Sequence, residues 1–302
     1  MKERGTRVNS QEQRHDEAEP ARQQETQAPQ RAPGRLRRYV QGKPLKYFTG
    51  LFAVLLAVIM LLLPSPYVVE MPGPTENVLG RQDGKPIISI TGVPTHATQG
   101  KLLMVTVNAS GVPGYPVSAP EVFWAWIDSK MEVIPQEAVF PIGQTAEQYQ
   151  QESDDQMDDS QDQAVQAGLR LASELGVDTK DAHVTLQIDG IGGPSAGMMY
   201  ALGIVDKLTP ADETGDTTIA GTGTINTEGE VGAIGGIDLK MLGALRDGAS
   251  WFLAPESNCD EVVGHVPEGL RDVRVSTLHE AYDAIVAIGK GEGESLPHCT
   301  VQ

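Results

Sequence analysis

No G-x-x-x-x-G-K-[ST] occurs in the 302 residues, so the chain has no such loop to cradle the phosphates of ATP. Cations are scarce too. Lys and Arg total 23 against 41 Asp and Glu, a net charge of −18. A chain this acidic repels phosphate backbones, which argues against nucleic acid as a partner. The acidic run "ESDDQMDDSQD", 152–162, lacks the glycine and the spaced oxygens of an EF-hand loop and reads as the solvated start of a helix. No metal site and no cofactor is expected. Cysteine is limited to Cys259 and Cys299, and no internal repeat stands out. The length suits one large domain or two small ones, with a full buried core.

What is present is unevenly spread. Residues 1–46 are rich in Gln, Glu, Arg and Pro and are net positive, which leaves the rest more acidic than the total. With almost no large apolar residue, they are expected to form a disordered cytoplasmic tail. Residues 47–69, "YFTGLFAVLLAVIMLLLPSPYVV", carry no charge; as a helix they would reach roughly 34 Å, enough to cross a hydrocarbon core of ~30 Å. A cleavable signal peptide is the alternative, but the leader is long and no A-x-A-like site follows. Arg31, Arg35, Arg37, Arg38, Lys43 and Lys46 crowd the N-terminal side, which the positive-inside rule keeps in the cytoplasm. The expectation is a single-pass anchor with the acidic body outside the cytoplasm. There disulfides persist, and Cys259 and Cys299 are expected to pair rather than stay as free thiols.

After the anchor, 70–84 reads as a Pro/Gly juxtamembrane linker. "PIISITGV" and "KLLMVTVNA" alternate as strands, and "APEVFWAWIDSKMEVIP" holds a helix whose Trp124 and Trp126 are expected to pack. "DSQDQAVQAGLRLASELG" has helical spacing and a closing glycine. "HVTLQI" is a strand leading to a glycine turn. "TTIAGTGTINTEGEVGAIGG" reads as a hairpin, "IDLKMLGALRDGA" as a helix, "SWFLAP" as a strand and "LHEAYDAIVAIG" as a last helix. Mixed strands and helices predict an α/β (α+β) domain over 85–290, with 291–302 a flexible tail held by the disulfide.

Within this domain "GIGGPSAGMMYALG" places Ser195 at a helix start, after a flexible turn. The exposed N–H groups and dipole there, around Gly193, Pro194 and Ala196, suit an oxyanion and hence a nucleophilic serine. They also suit a phosphate, as in the glycine-serine loops of small-molecule kinases, or a plain N-cap serine. Lys240 lies three residues after Ile237 and four before Ala244, on the apolar face of its helix. A lysine held against a core loses solvation; a fall of ~3 units from ~10.4 would make it a base near neutral pH. It could then take the Ser195 hydroxyl proton without a histidine.

"GPSAGMMYALG" followed by "GTINTEGEVGAIGGIDLKMLGALRDGASWFLAPESNCDEV" resembles the proteolytic domain of Lon proteases, which use a Ser-Lys dyad. The likeness runs back through "DSQDQAVQAGLRLASELG" and forward through "VRVSTLHEAYDAI". It implies the Lon proteolytic-domain fold, a mixed sheet with flanking helices, with Ser195 as nucleophile, Lys240 as base and Thr222 as the threonine that hydrogen-bonds the lysine. The "PGPT…VLG" entry and the "GGPSAG" spelling are similar to membrane-anchored, ATP-independent Lon-like proteases of Gram-positive bacteria. Those proteins usually insert a PDZ domain where only "VDTKDA" stands here. Soluble Lon enzymes often place an aspartate where this chain has Gly192; Asp189 is nearby, without a firm role. The implied function is an extracytoplasmic serine endopeptidase acting on exported or membrane-associated proteins, with no nucleotide and with a possible homo-oligomer. A catalytically idle anchored module on the same fold is the alternative.

Overall fold

The computed structural model describes residues 43–141, 143–188, 193–211 and 213–301. Most of the expected cytoplasmic tail, with Asp189 and Gly192, lies outside them. The chain divides into two compact units, Met1–Leu55 and Leu56–Gln302. Helix α1, Leu45–Leu62, crosses that division, and none of its residues is buried. It is long and apolar enough to cross a membrane. The span expected at 47–69 ends early because Pro64 and Pro66 cannot continue a helix; Val68 and Val69 are fully buried in the domain instead.

The second unit is built on a six-stranded mixed sheet. In chain order its strands are β1 (Tyr67–Asn77), β3 (Lys101–Ser110), β4 (Glu132–Pro135), β6 (Thr218–Gly221), β9 (Trp251–Pro255) and β10 (Arg271–Val275). They lie in the order β10-β9-β6-β3-β1-β4. Pairing is parallel from β10 to β3 and antiparallel from β3 through β1 to β4. Three short pairs stand apart: Arg81–Gln82 with Lys85–Pro86, β2 (Ile88–Thr91) with β5 (His183–Leu186), and β7 (Thr224–Ile225) with β8 (Val231–Gly232).

Residues 70–77 are therefore sheet, and the expected linker at 70–84 is largely corrected. Two prolines and a glycine hide the strand. Its register with β3 shifts between Pro72 and Thr75, a bulge that takes Gly73 and Pro74 out of the ladder, where a missing N–H costs nothing. A side chain at Gly73 would meet Thr106 Oγ1 at 2.3 Å, so only glycine fits there.

Helices cover both faces of the sheet, and strand alternation decides what each one meets. Leu102 and Met104 of β3, Ile219 of β6 and Leu253 of β9 join one core with α4 (Gly197–Leu208). Leu103, Val105, Ala220, Phe252 and Ala254 point the other way, to α5 (Ile237–Arg246). Helix α3 (Ala146–Glu174) lies along α4, and α6 (Leu278–Gly289) completes that side. Helix α3 begins well before the expected start because Thr145 and Gln148 form a reciprocal capping box. Its buried positions are mostly Ala, Ser and Gly, which leave little apolar signal in the sequence.

Helix α2 (Ala119–Ala125) buries Val122 and Ala125. Trp124 and Trp126, expected to pack, are 60% and 63% exposed. The tail read as flexible is held along the free edge of β10: Arg274 N donates to Pro297 O at 2.9 Å, Cys299 N to Asp272 Oδ2 at 2.7 Å, and Arg271 pairs with Glu294. Cys259 and Cys299 are joined by a disulfide, with 4.9 Å between their Cα atoms.

Candidate active site

The described chain resumes after β5 at Gly193, whose φ of 85° and ψ of 163° suit glycine alone. Pro194–Ala196 then form one tight 3-10 turn that runs into α4. Pro194 has no amide hydrogen and fits the first helical position, so it shapes the turn and donates nothing. Ser195 sits in the middle, half-buried. The turn is fastened on two sides. Ser160 Oγ on α3 donates to Pro194 O at 3.0 Å. Gly223 N, just past β6, donates to Ser195 O at 2.8 Å, and Met198 N to Gly223 O at 3.1 Å. Gly197 permits this closeness, since a Cβ there would stand 2.9 Å from both Ser160 Oγ and Ile225 Cγ2.

Lys240 approaches from the opposite face of the sheet, on α5. It is 3% exposed, packed on β1 and β3 by its helix. Gly236 opens α5 in the left-handed region, φ 63°. A Cβ there would lie 2.9 Å from Val107.

The two helices meet beyond the end of β6, at Thr222. Its hydroxyl donates to Ser195 O at 3.0 Å and accepts from Lys240 Nζ at 3.3 Å. One hydroxyl therefore fixes both the serine turn and the amine. Burial lowers the Lys240 pKa to about 8, against a smaller upward pull from the Glu70 carboxylate. The lysine is thus poised to exchange a proton near neutral pH.

Glu70, on β1, is the residue that sequence reasoning missed. Its pKa is raised first by burial, then by Glu132, while Lys240 lowers it and Asp238 adds to the rise. Glu132 faces it across the β1–β4 pairing and is itself raised by burial, then by Asp238 and Glu261. Glu70 thus reaches the lysine from a strand far away in sequence, with Glu132 paired beside it. No local signal marked Glu70, since "YVVEM" does not alternate and prolines follow it.

Beside the serine turn lies a cleft of about 290 Å³ whose walls include Phe140, Tyr149, Gln156 and Gly193. The rings of Phe140 and Tyr149 meet edge to face, 5.1 Å between centroids. Burial, and then the charge of Glu70, raise the Tyr149 pKa. Its lining mixes the apolar Val139, Phe140 and Pro141 with the polar Gln144, Glu152 and Ser153.

Comparison with known proteins identifies the domain that carries these residues. The Lon protease (S16) C-terminal proteolytic domain matches residues 124–288. Lon protease 1 of Sorangium cellulosum (strain So ce56) is 35% identical over 140 residues, 42% of this chain and 17% of that protein. Lon protease of Clostridioides difficile (strain 630) is 33% identical over 110 residues, 36% of this chain and 14% of that protein. Lon protease 2 of Bacillus subtilis (strain 168) is 29% identical over 126 residues, 41% and 22% respectively. The chain thus spans less than a quarter of the length of these relatives. Ser195, Thr222 and Lys240 all fall inside the matched stretch, on a mixed α/β fold, and the chain belongs to the family of the Lon protease (S16) C-terminal proteolytic domain.

Proposed function

We propose that this chain is an ATP-independent, membrane-anchored serine endopeptidase working outside the cytoplasm, with Ser195 as nucleophile and Lys240 as general base. The observation that carries the reading is the Thr222 hydroxyl held between Lys240 Nζ and the carbonyl of Ser195. Neutral Lys240 takes the Ser195 hydroxyl proton as the oxygen attacks a peptide carbonyl. Amide hydrogens at the start of the 3-10 turn and of α4, from Gly193 and Ala196, stabilise the developing oxyanion. The new ammonium, offset by Glu70, returns the proton to the departing amine. Water then repeats the cycle on the acyl-enzyme.

What supports this location is α1, long and apolar enough to span a bilayer, and the arginines and lysines before it in sequence, which the positive-inside rule would keep in the cytoplasm. Protein substrates would be those exported to, or resident at, that membrane. The Cys259–Cys299 bond fits an oxidising compartment.

The test is hydrolysis of a fluorogenic peptide and of an unfolded protein by the purified full chain in detergent, without nucleotide. Ser195→Ala and Lys240→Ala are each expected to abolish cleavage and leave the circular dichroism spectrum unchanged, because nucleophile and base act as one unit. Near-normal cleavage by Lys240→Ala would overturn the assignment. Binding without cleavage by the wild-type chain would instead favour an idle anchored module.

A further inference from the structure

Helix α2 carries apolar groups on both of its faces. Val122 and Ala125 are buried against the start of β1. Phe123, Trp124, Trp126 and Ile127, on α2 and the turn after it, are each at least 60% exposed. Four large apolar side chains open to water within five consecutive positions need a covering partner.

The place of this patch says what covers it. Ser65 N donates to Val117 O at 2.8 Å, and Pro64 bridges Ser118, the residue before α2. The Tyr67 ring meets the Trp126 ring edge to face at 5.9 Å. Helix α1 ends at Leu62, two residues before Pro64, a leash of roughly 7 Å even when fully extended. A leash that short holds the face around Ser65 and Ser118 against the headgroups of whatever bilayer α1 enters. The seven residues of α2 extend only about 10 Å from that point, so the aromatic cluster belongs to the face that is held there.

We propose that α2 and the turn after it form a membrane-docking element, with Trp124 and Trp126, flanked by Phe123 and Ile127, seated at the boundary between headgroups and acyl chains. This rests on the reading of α1 as a membrane span. Tryptophan suits that boundary because its ring is apolar and its N–H can still reach water or a headgroup oxygen. The chain carries −18 overall, so an anionic surface offers this domain no attraction. Docking through apolar rings accordingly needs no anionic lipid and is not weakened by salt. It fixes which way the Ser195 turn faces, in a manner that a bare leash would not.

The experiment uses the full chain in phosphatidylcholine vesicles, with bromine on part of the acyl chains close to the headgroup. Flotation first shows whether α1 enters the bilayer. Bromine is then expected to remove roughly half of the tryptophan emission, since two of the three tryptophans stand at the boundary. The loss should persist in high salt and after anionic lipid is added. In the double variant Trp124→Phe/Trp126→Phe only Trp251 remains, and its emission should not change with bromine. That variant keeps rings at both positions and touches no part of the candidate active site, so its peptide hydrolysis in detergent is expected to match the wild type. Flotation without quenching overturns the docking and leaves the anchor standing. Failure to float overturns the anchor and the docking together. A concentration-dependent blue shift without quenching overturns it in favour of a second copy of this chain.

Discussion

Lys240 costs the fold stability, and in the proposed mechanism that cost is what makes it a base. Its pKa is lowered from 10.5 to about 8, so between those values the unfolded chain binds more protons than the folded one. Stability therefore rises with pH across that window. Below about 8 the ammonium stays buried at a cost of about 3 kcal/mol. Lys240→Met, similar in length and without charge, is expected to be inactive and more stable at pH 7 by about 1 to 3 kcal/mol, with the gain shrinking as pH passes 8. Urea melts at pH 7 and pH 10 measure this; an equal difference at both would contradict the buried-charge account. In the wild type, kcat/KM should climb through the same region as the base loses its proton. Glu70 raises the lysine pKa, so Glu70→Gln should move that limb to lower pH. A limb that stays in place would show that the carboxylate does not reach the amine.

At the scale of elements, much was legible in the sequence. The helix after Ser195, the helix bearing Lys240, the strand "SWFLAP" and the last helix stood out because each is strongly apolar, the first of them buried on all sides but Lys207 and the last along one face. What stayed hidden has physical causes. Strand β1 contains Pro72, Gly73 and Pro74, which read as a turn until β3 is seen to accommodate a bulge. The first half of α3 is polar, and its cap at Thr145 is a local signal masked by the acidic run that follows. Trp124 and Trp126 were expected inside because tryptophan usually is; only the tertiary fold shows which face of α2 the sheet had already filled. Glu70 meets Lys240 across 170 positions of chain, and no local pattern encodes such a contact.

The close fit of α3, α4 and the serine turn leads to a further expectation. Gly197→Ala places a methyl group 2.9 Å from Ser160 Oγ and Ile225 Cγ2, and Ser160 holds the turn through Pro194. The helix itself should tolerate the change, since alanine is the better helix former. The turn must shift, and catalytic geometry is sensitive to displacements of this kind. Peptide hydrolysis is expected to fall by roughly tenfold or more, while the overpacking lowers the melting temperature by only about 2 to 10 °C. Unaltered kcat/KM would show that the serine turn has slack that the hydrogen bonds do not suggest.

For the whole molecule, the C-terminal segment closes what the sheet leaves open. Strand β10 is an edge, and an unprotected edge invites pairing with other chains. Here the chain returns after α6, lays Pro297 and Cys299 along β10, and is bonded through Cys299 to Cys259, 40 positions earlier. Both cysteines lie, in sequence, beyond the strand that follows the Lys240 helix, and Cys299 packs against the core that α5 shares with β9. Closing a loop of that length restricts the unfolded chain by roughly 4 kcal/mol at most. The hydrogen bonds of Arg274 and Cys299 survive reduction, so part of the segment stays in place. Reduction of the full chain in detergent is thus expected to lower the melting temperature by about 5 to 15 °C while hydrolysis at room temperature remains within about twofold. Calorimetry and peptide cleavage on the same reduced and alkylated sample decide it. Activity lost in step with reduction, with the fold intact, would mean that the bond reaches the catalytic residues after all. Two alkylated thiols in unreduced protein from its native host would mean that it does not form there.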